Sequence, residues 1–275
     1  MKIRVATYNI HKGVSSVRGL PRVHALKQAI ALFHADVVFL QEVQGKHDRN
    51  AARYGAENNG HKHWPEASQH EFFAGAEHHS AYGMNAVYDH GHHGNALLSK
   101  FPIASQTNHD VSDHAYEQRG ILHCVLKTPQ ADVHCYVVHL GLFESGRGRQ
   151  TQALIDAVLE SAPNGEPVII AGDFNDWRNT LSDKLRNALG VVEVFDQRAS
   201  NSALGDLVRT LARRQTKPPV PVPNQSVIMH TSTPRAAARL SASSTRVPVA
   251  SSAKIYVSKY TSERAPSMAA ISAGK

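Results

Sequence analysis

Cysteine is scarce: the 275 residues include two, Cys124 and Cys135. Both sit in apolar runs, so a reduced, buried pair is expected in preference to a disulfide or redox pair. Aromatic residues make up only 7%, and no stretch approaches the ~18 consecutive apolar residues of a membrane-spanning helix. The first eight residues run straight into a strand pattern and lack the apolar stretch of a signal peptide. A soluble, cytoplasmic protein is expected. A basic body is missing as well. The formal net charge is +7, yet residues 1–200 hold 19 Lys and Arg against 21 Asp and Glu, a net of −2. Residues 201–275 hold 11 against 2, a net of +9. All of the basicity therefore lies in the tail, and charge alone does not make the body a nucleic-acid binder.

With 41% apolar and 19% charged residues, the chain is long enough to bury one large α/β core. Lys2 to Ile10 reads as a strand that ends in the polar turn His11-Lys12-Gly13. Val23, Leu26, Ile30 and Phe33 recur at spacings of three and four, which predicts an amphipathic helix from Pro21 to Ala35 with Pro21 in its first turn. Val37-Val38-Phe39-Leu40 is a short buried-strand pattern that breaks at Gln41-Glu42. Residues 44–93 are polar, His-rich and irregular, and Ala96-Leu97-Leu98 restarts the strand pattern. Residues 121–127 and 133–140 read as a hairpin around Thr128 to Asp132. A helix is predicted from Arg149 to Ser161, and a buried strand over Val168 to Ala171 that runs into Gly172-Asp173-Phe174-Asn175-Asp176.

Beyond residue 200 the composition changes. Leu204–Arg214 fits a short basic helix, and Pro218–Pro223 an extended linker. From Ser232 onward the chain is rich in Ser, Ala and Arg and has no Phe or Trp. That composition buries little, so poor order is expected from about residue 215, apart from a strand at Lys254–Ser258. The expected organisation is a catalytic domain over 1–200 and a Pro-rich linker with a basic tail over 201–275.

Four strand ends carry chemistry: Thr7-Tyr8-Asn9-Ile10-His11, Gln41-Glu42-Val43, His139-Leu140-Gly141 and Gly172-Asp173-Phe174-Asn175-Asp176. Each places a carboxylate, amide or imidazole at or just past an apolar run, where loops can gather side chains on one site. Asn and Glu oxygens suit a hard cation such as Mg²⁺. An Asp-x-Asn pair can orient a water and hold a phosphate oxygen, and an imidazole can stabilise charge on a phosphoryl group. Taken singly, each has a plain structural explanation: a solvated loop Glu, a turn-forming Asn, a core His. Together they predict that Asn9, Glu42, His139, Asp173 and Asn175 converge on one cleft. The histidines at 61, 63, 70, 78, 79, 90, 92 and 93 form no closed tetrahedral set with a nearby cysteine, so a polar rim is preferred over zinc.

In this order and spacing, from Arg4 to about Arg198, the motifs resemble the endonuclease/exonuclease/phosphatase superfamily. They are Thr-Tyr-Asn-Ile, Leu-Gln-Glu-Val, Gly-Asn-Ala-Leu-Leu-Ser (94–99), Gln-Arg-Gly (118–120), Val-His-Leu-Gly and Ala-Gly-Asp-Phe-Asn-Asp. The middle segment looks most like a bacterial branch of unassigned substrate. The resemblance implies a DNase I-like, four-layer α/β sandwich of two packed sheets with helices outside. It implies Mg²⁺ or Mn²⁺ held by Glu42 with Asn9 beside it, and His139 on the scissile phosphate. Asp173 and Asn175 would orient the attacking water and a non-bridging oxygen, with Asn95, Arg119 and Asp176 on the phosphate or just behind. The implied substrate is a phosphoester, nucleic acid first and phospholipid or inositol-phosphate headgroups second, and the implied protein is a monomer.

Two late motifs depart from the family. Its Leu-Asp-(Arg or Lys)-Ile-Tyr strand is recognisable in Ser252 to Val257, but Ala253 stands at the Asp position. Its Ser-Asp-His is absent, and His230 is the only histidine after residue 200. A weakened activity is therefore expected, with a non-catalytic phosphate-binding module as the alternative of another class.

Overall fold

The computed structural model describes residues 2–15, 19–55, 64–113, 117–162, 166–194, 225–230 and 253–258. The expectations for Leu204–Arg214 and Pro218–Pro223 lie outside those residues, as do most of the tail, His61 and His63. Within the tail Gln225–His230 forms a strand paired with Lys2–Thr7, where the sequence predicts only the later strand.

In chain order the elements are β1 (Lys2–Asn9), α1 (Val23–Leu32), β2 (Val37–His47), α2 (Asp48–Tyr54), α3 (Gln69–Ala74), β3 (His79–Tyr88), β4 (Gly91–Ser99), β5 (Ile103–Asp110), β6 (Gly120–Lys127), β7 (Asp132–His139), α4 (Glu144–Ser161), β8 (Val168–Asp173), α5 (Ser182–Leu189), β9 (Val191–Glu193), β10 (Gln225–His230) and β11 (Ala253–Ser258). They form a five-stranded sheet in the order β10-β1-β2-β4-β3 and a six-stranded sheet in the order β5-β6-β7-β8-β11-β9.

The alternation of side chains along each strand sorts the apolar residues into layers. Val5, Phe39, Leu97, Leu122, Val137 and Ile169 pack between the sheets. Val38, Leu40 and Leu98 point outward onto Leu26 and Ile30 of α1 and Phe73 of α3. On the far side Tyr136, Val138 and Ile170 meet Leu154 and Val158 of α4 and Leu185 of α5. The result is the expected four-layer sandwich, each buried large side chain contributing roughly 1.5–3 kcal/mol. Cys124 and Cys135 are cross-strand partners, free and buried, and burial pushes the Cys124 thiol up to about 12.

Several boundaries differ from expectation. The first helix starts at Val23, because Pro21 instead forms a β-bridge with Val14. The second strand does not stop at Gln41-Glu42. It continues to His47 through register shifts between Leu40 and Val43 and between Gln44 and Lys46. The stretch 44–93 is more regular than its composition suggests: it holds α2, α3 and a hairpin of β3 and β4 turning at Asp89-His90. The fourth helix begins five residues before Arg149. Gly146 and Gly148 weaken the local signal there, but Arg147 is buried and donates to the carbonyls of Gly141 and Leu142. β5 is an exposed polar edge strand with no apolar pattern to reveal it. The late strand is present as Ala253–Ser258, inserted between β8 and β9.

Candidate active site

Asn9 is the last residue of β1 and pairs with Gln41 on the parallel neighbour β2. One residue on, the β2 bulge puts Glu42 at φ +55. That left-handed conformation is rare for a side-chain-bearing residue, and a bulge of this kind re-aims a side chain beside a site. Gln41 turns inward, its amide donating to Thr7 Oγ1 at 3.3 Å. Glu42 turns to the strand ends, where Asn9 Nδ2 donates to Glu42 Oε1 at 3.1 Å. The same nitrogen donates to Asp173 Oδ2 at 3.3 Å, and Asn9 Oδ1 accepts from the His11 N–H at 3.0 Å. One amide thus joins two carboxylates that arrive from different sheets.

The second sheet contributes His139 and Asp173, the final residues of β7 and β8 and register partners of each other. Asp173 Oδ1 accepts from the Asn175 N–H at 3.1 Å. Asn175 is buried at φ +49, and its Nδ2 donates to the Leu140 carbonyl at 2.8 Å. The loop after His139 is gripped from several sides. Gly141 N–H donates to Gln150 Oε1 at 2.7 Å, and Leu142 N–H to Glu117 Oε1 at 3.0 Å. Glu117 in turn pairs with Arg119 at 3.2 Å. His139 is therefore presented on a fixed backbone.

The charges of this cluster are balanced against its burial. Burial pushes the Glu42 carboxyl up, but His139, the Asn9 hydrogen bond, His11 and Lys12 together hold it below the usual carboxylate range. Burial first, and the nearby Arg119 guanidinium second, hold the His139 imidazolium form down against the pull of Asp173 and Glu42. Glu42 is thus an anion and His139 a neutral imidazole near pH 7.

Of the other expected residues, Asn95 does not open onto the cleft. It is fully buried, and its Nδ2 donates to the carbonyls of Gly120 at 2.8 Å and Val137 at 3.2 Å, clamping one sheet to the other. Arg119 faces His139 with its Nε buried. Asp176 stands behind the site, its oxygens taken by the N–H groups of Thr180 and Leu181, the Thr180 hydroxyl and Lys254 Nζ. Ala253, at the family's Asp position, is the register partner of Asp173. The structure adds two residues to those expected. His93 lies two residues before Asn95 on β4, hence on the same strand face. Its titration is pushed down to about 4 by burial first and then by Lys12, against Glu42, with His139 and Arg119 adding to the shift. Lys12, in the turn after β1, is at φ +58 and is pinned where Gln69 Nε2 donates to its carbonyl at 3.0 Å. The spacing of His93 from Asn95 was the available signal, masked by the run of histidines around it.

Among the described residues no three His, Cys, Asp or Glu side chains stand together as a metal-holding group. Mg²⁺ does not require one, since it takes one or two carboxylates and keeps waters and substrate oxygens. Glu42 and Asp173, oxygen donors joined through one amide, fit that demand.

The family model described as "Endonuclease/Exonuclease/phosphatase family" matches residues 6–227. The protein YbhP of Escherichia coli (strain K12) is 41% identical over 195 residues, covering 70% of this chain and 74% of that protein. An endonuclease/exonuclease/phosphatase from Beutenbergia cavernae superposes with a TM-score of 0.50 at 20% identity, covering 64% of this chain and 48% of that one, about half its length. Truncated Caenorhabditis elegans TDP2 superposes with a TM-score of 0.54 at 15% identity, covering 94% of this chain and 84% of that one. At such identities the structural likeness speaks for the fold. No helix among the described residues is long and apolar enough to cross a membrane.

Proposed function

The chain belongs to the endonuclease/exonuclease/phosphatase family, whose members cleave phosphoester bonds, and on that premise we propose that it is a Mg²⁺- or Mn²⁺-dependent phosphodiesterase acting on nucleic acid. One observation carries the proposal: the Asn9 amide bonded to both Glu42 and Asp173 at the junction of the two sheets. Such a pairing concentrates negative charge that a divalent cation would balance.

Glu42, with Asn9 beside it, would hold the cation, which supplies charge neutralisation at the phosphoryl oxygens when bound. Asp173 is fixed by the Asn9 amide and the Asn175 N–H, so its carboxylate is oriented to align the attacking water. Asn175 spends one amide hydrogen on Leu140 and has a second for a non-bridging oxygen. His139 is neutral, so its ring N–H is suited to donate to the phosphoryl group as charge builds there. Arg119, behind His139, adds positive potential without entering the reaction.

The carboxylate that the family carries opposite Asp173 is replaced by Ala253, and the Ser-Asp-His motif is missing. Among the described residues the base that those motifs supply to the attacking water is therefore not present, and such a base is worth roughly 10²–10⁴-fold in rate. That deficit favours a second reading, a phosphate-binding module without turnover. The assay that separates them is hydrolysis of a single-stranded oligonucleotide with Mg²⁺. Slow turnover that EDTA abolishes and Glu42→Gln removes supports the enzyme; tight binding with no turnover supports the module. Turnover in EDTA-treated protein overturns the proposed chemistry.

A further inference from the structure

Among the described residues large apolar side chains are exposed at scattered places, Leu32, Met84, Val87 and Leu159 among them, and three more stand on the two loops that leave the cleft. Leu142 is 56% exposed, Phe143 61% and Trp177 58%. The first two follow directly on the His139 loop, and Trp177 follows directly on Asn175 and Asp176. Arg178 Nη1 reaches Glu144 Oε2 at 3.9 Å, which brings the two loops together. Exposed Leu, Phe and Trp gathered at one mouth are a recognition surface rather than misplaced core.

We propose that this rim is a stacking platform for an unpaired base flanking the scissile phosphate, so that the substrate is single-stranded nucleic acid or an unpaired end. The assignment rests on the cleft being a phosphodiester site, as argued above. Three features single out this occupant. The rim is built on the very loops that carry His139, Asp173 and Asn175, so a nucleoside joined to a phosphate in the cleft lies against it. Bases stack on aromatic faces irrespective of sequence, and only an unpaired base has a face to offer. Duplex DNA, by contrast, is held through many Lys and Arg contacts to phosphates, and residues 1–200 carry a net charge of −2. Arg178, with its side chain 83% exposed, is placed for the next phosphate along the strand.

The chain supplies its own reporter. It has two tryptophans, Trp64 buried and Trp177 exposed, so a change at the rim dominates any fluorescence response to a ligand. The full chain in EDTA is titrated with an oligothymidylate of about eight nucleotides, with a hairpin duplex, and with vesicles of phosphatidylcholine and phosphatidylglycerol. Saturable quenching by the oligothymidylate is expected, with the hairpin bound at least about 10-fold more weakly. Read by the fluorescence anisotropy of an end-labelled oligothymidylate, because both variants lose the Trp177 signal, Trp177→Phe keeps the binding within about 3-fold and Trp177→Leu weakens it about 10-fold, since stacking needs a ring and not merely apolar area. No quenching, equal binding by Trp177→Leu, or a blue shift with vesicles in place of a response to the oligonucleotide would each overturn the platform. Hydrolysis measured with Mg²⁺ on the same samples keeps the two claims apart. Turnover with no Trp177 response overturns the rim alone, whereas quenching without turnover keeps the rim and overturns the enzyme.

Discussion

Two clusters of buried charge lie a few residues apart, and they are built to opposite rules. In the first, Lys254 and Asp176 are almost wholly enclosed and 3.0 Å apart. Lys254 Nζ also donates to Asn179 at 2.7 Å and Ser182 at 3.3 Å, so its three hydrogens are all used. Asp176 accepts from Thr180 and Leu181 besides. Its carboxyl is pushed up by burial, but those backbone bonds and Lys254 hold it below the usual range. In the second, Glu42 and Asp173 share one amide, and Glu42 and Asn175 are held at left-handed φ values that cost energy. Saturated hydrogen bonding identifies a structural ion pair that ties β11 to the loop after Asp173. Left-handed residues stand in both clusters, Asn179 in the first as well as Glu42 and Asn175 in the second; what sets the second apart is two carboxylates gathered on one amide. The comparison teaches that burial of charge alone does not mark a site; the marker is whether a carboxylate stands beside a lysine or beside a second carboxylate.

The comparison can be broken at either cluster. The largest effect is expected from Glu42→Gln or Asp173→Asn. Phosphodiester hydrolysis should fall by about 10²–10⁴-fold, while the melting temperature stays level or rises because like charges are separated. A drop in both would mean that the site is a structural pair like the other. Lys254→Met should show the reverse pattern, losing about 3–5 kcal/mol of stability in chemical denaturation because it strands Asp176 unpaired. Adding Asp176→Asn to it should recover part of that loss, and no recovery would deny the coupling.

A smaller effect is expected on the outer face of the second sheet, where His123 is buried against His134 at 3.0 Å and His134 against Glu166 at 2.5 Å. Tyr136 stacks on His123 with centroids 4.4 Å apart. Burial, then His134 and His109, push the His123 titration down to about 4. The unfolded chain takes up that proton near pH ~6.5. Stability from keeping His123 neutral is thus complete above ~6.5 and is lost as pH falls from there toward about 4. Melting temperatures measured from pH 7 to pH 4.5 should decline, and less steeply in His123→Leu. An unchanged slope in that variant would assign the decline to other groups.

The strand-end residues were legible because each follows an apolar run that fixes where its strand lies. Val5 and Ala6 announce Asn9, Val37 to Leu40 announce Glu42, and Val168 to Ala171 announce Asp173. The sandwich class followed from the resemblance of these motifs. What stayed hidden depends on tertiary contact. The bulge that turns Glu42 is a mismatch between β2 and β4, invisible in either strand alone. β3 and β5 are partly or largely exposed, so no apolar alternation marks them. The partner of Asp176 lies 78 residues away, and neither residue's neighbours in sequence point to the other. The resemblance alone places Asn95 on the phosphate or just behind it; that its Nδ2 clamps carbonyls of the opposite sheet depends on contacts no local pattern shows.

The central claim is that Glu42, with Asn9 beside it, holds a divalent cation. Calorimetric titration of the chain with Mn²⁺ at pH 7.5, alongside Glu42→Gln, tests it most directly. The account predicts saturable binding of one Mn²⁺ per chain that weakens at least about 10-fold in the variant, since a hard cation depends on that carboxylate; equal binding by both proteins would contradict it.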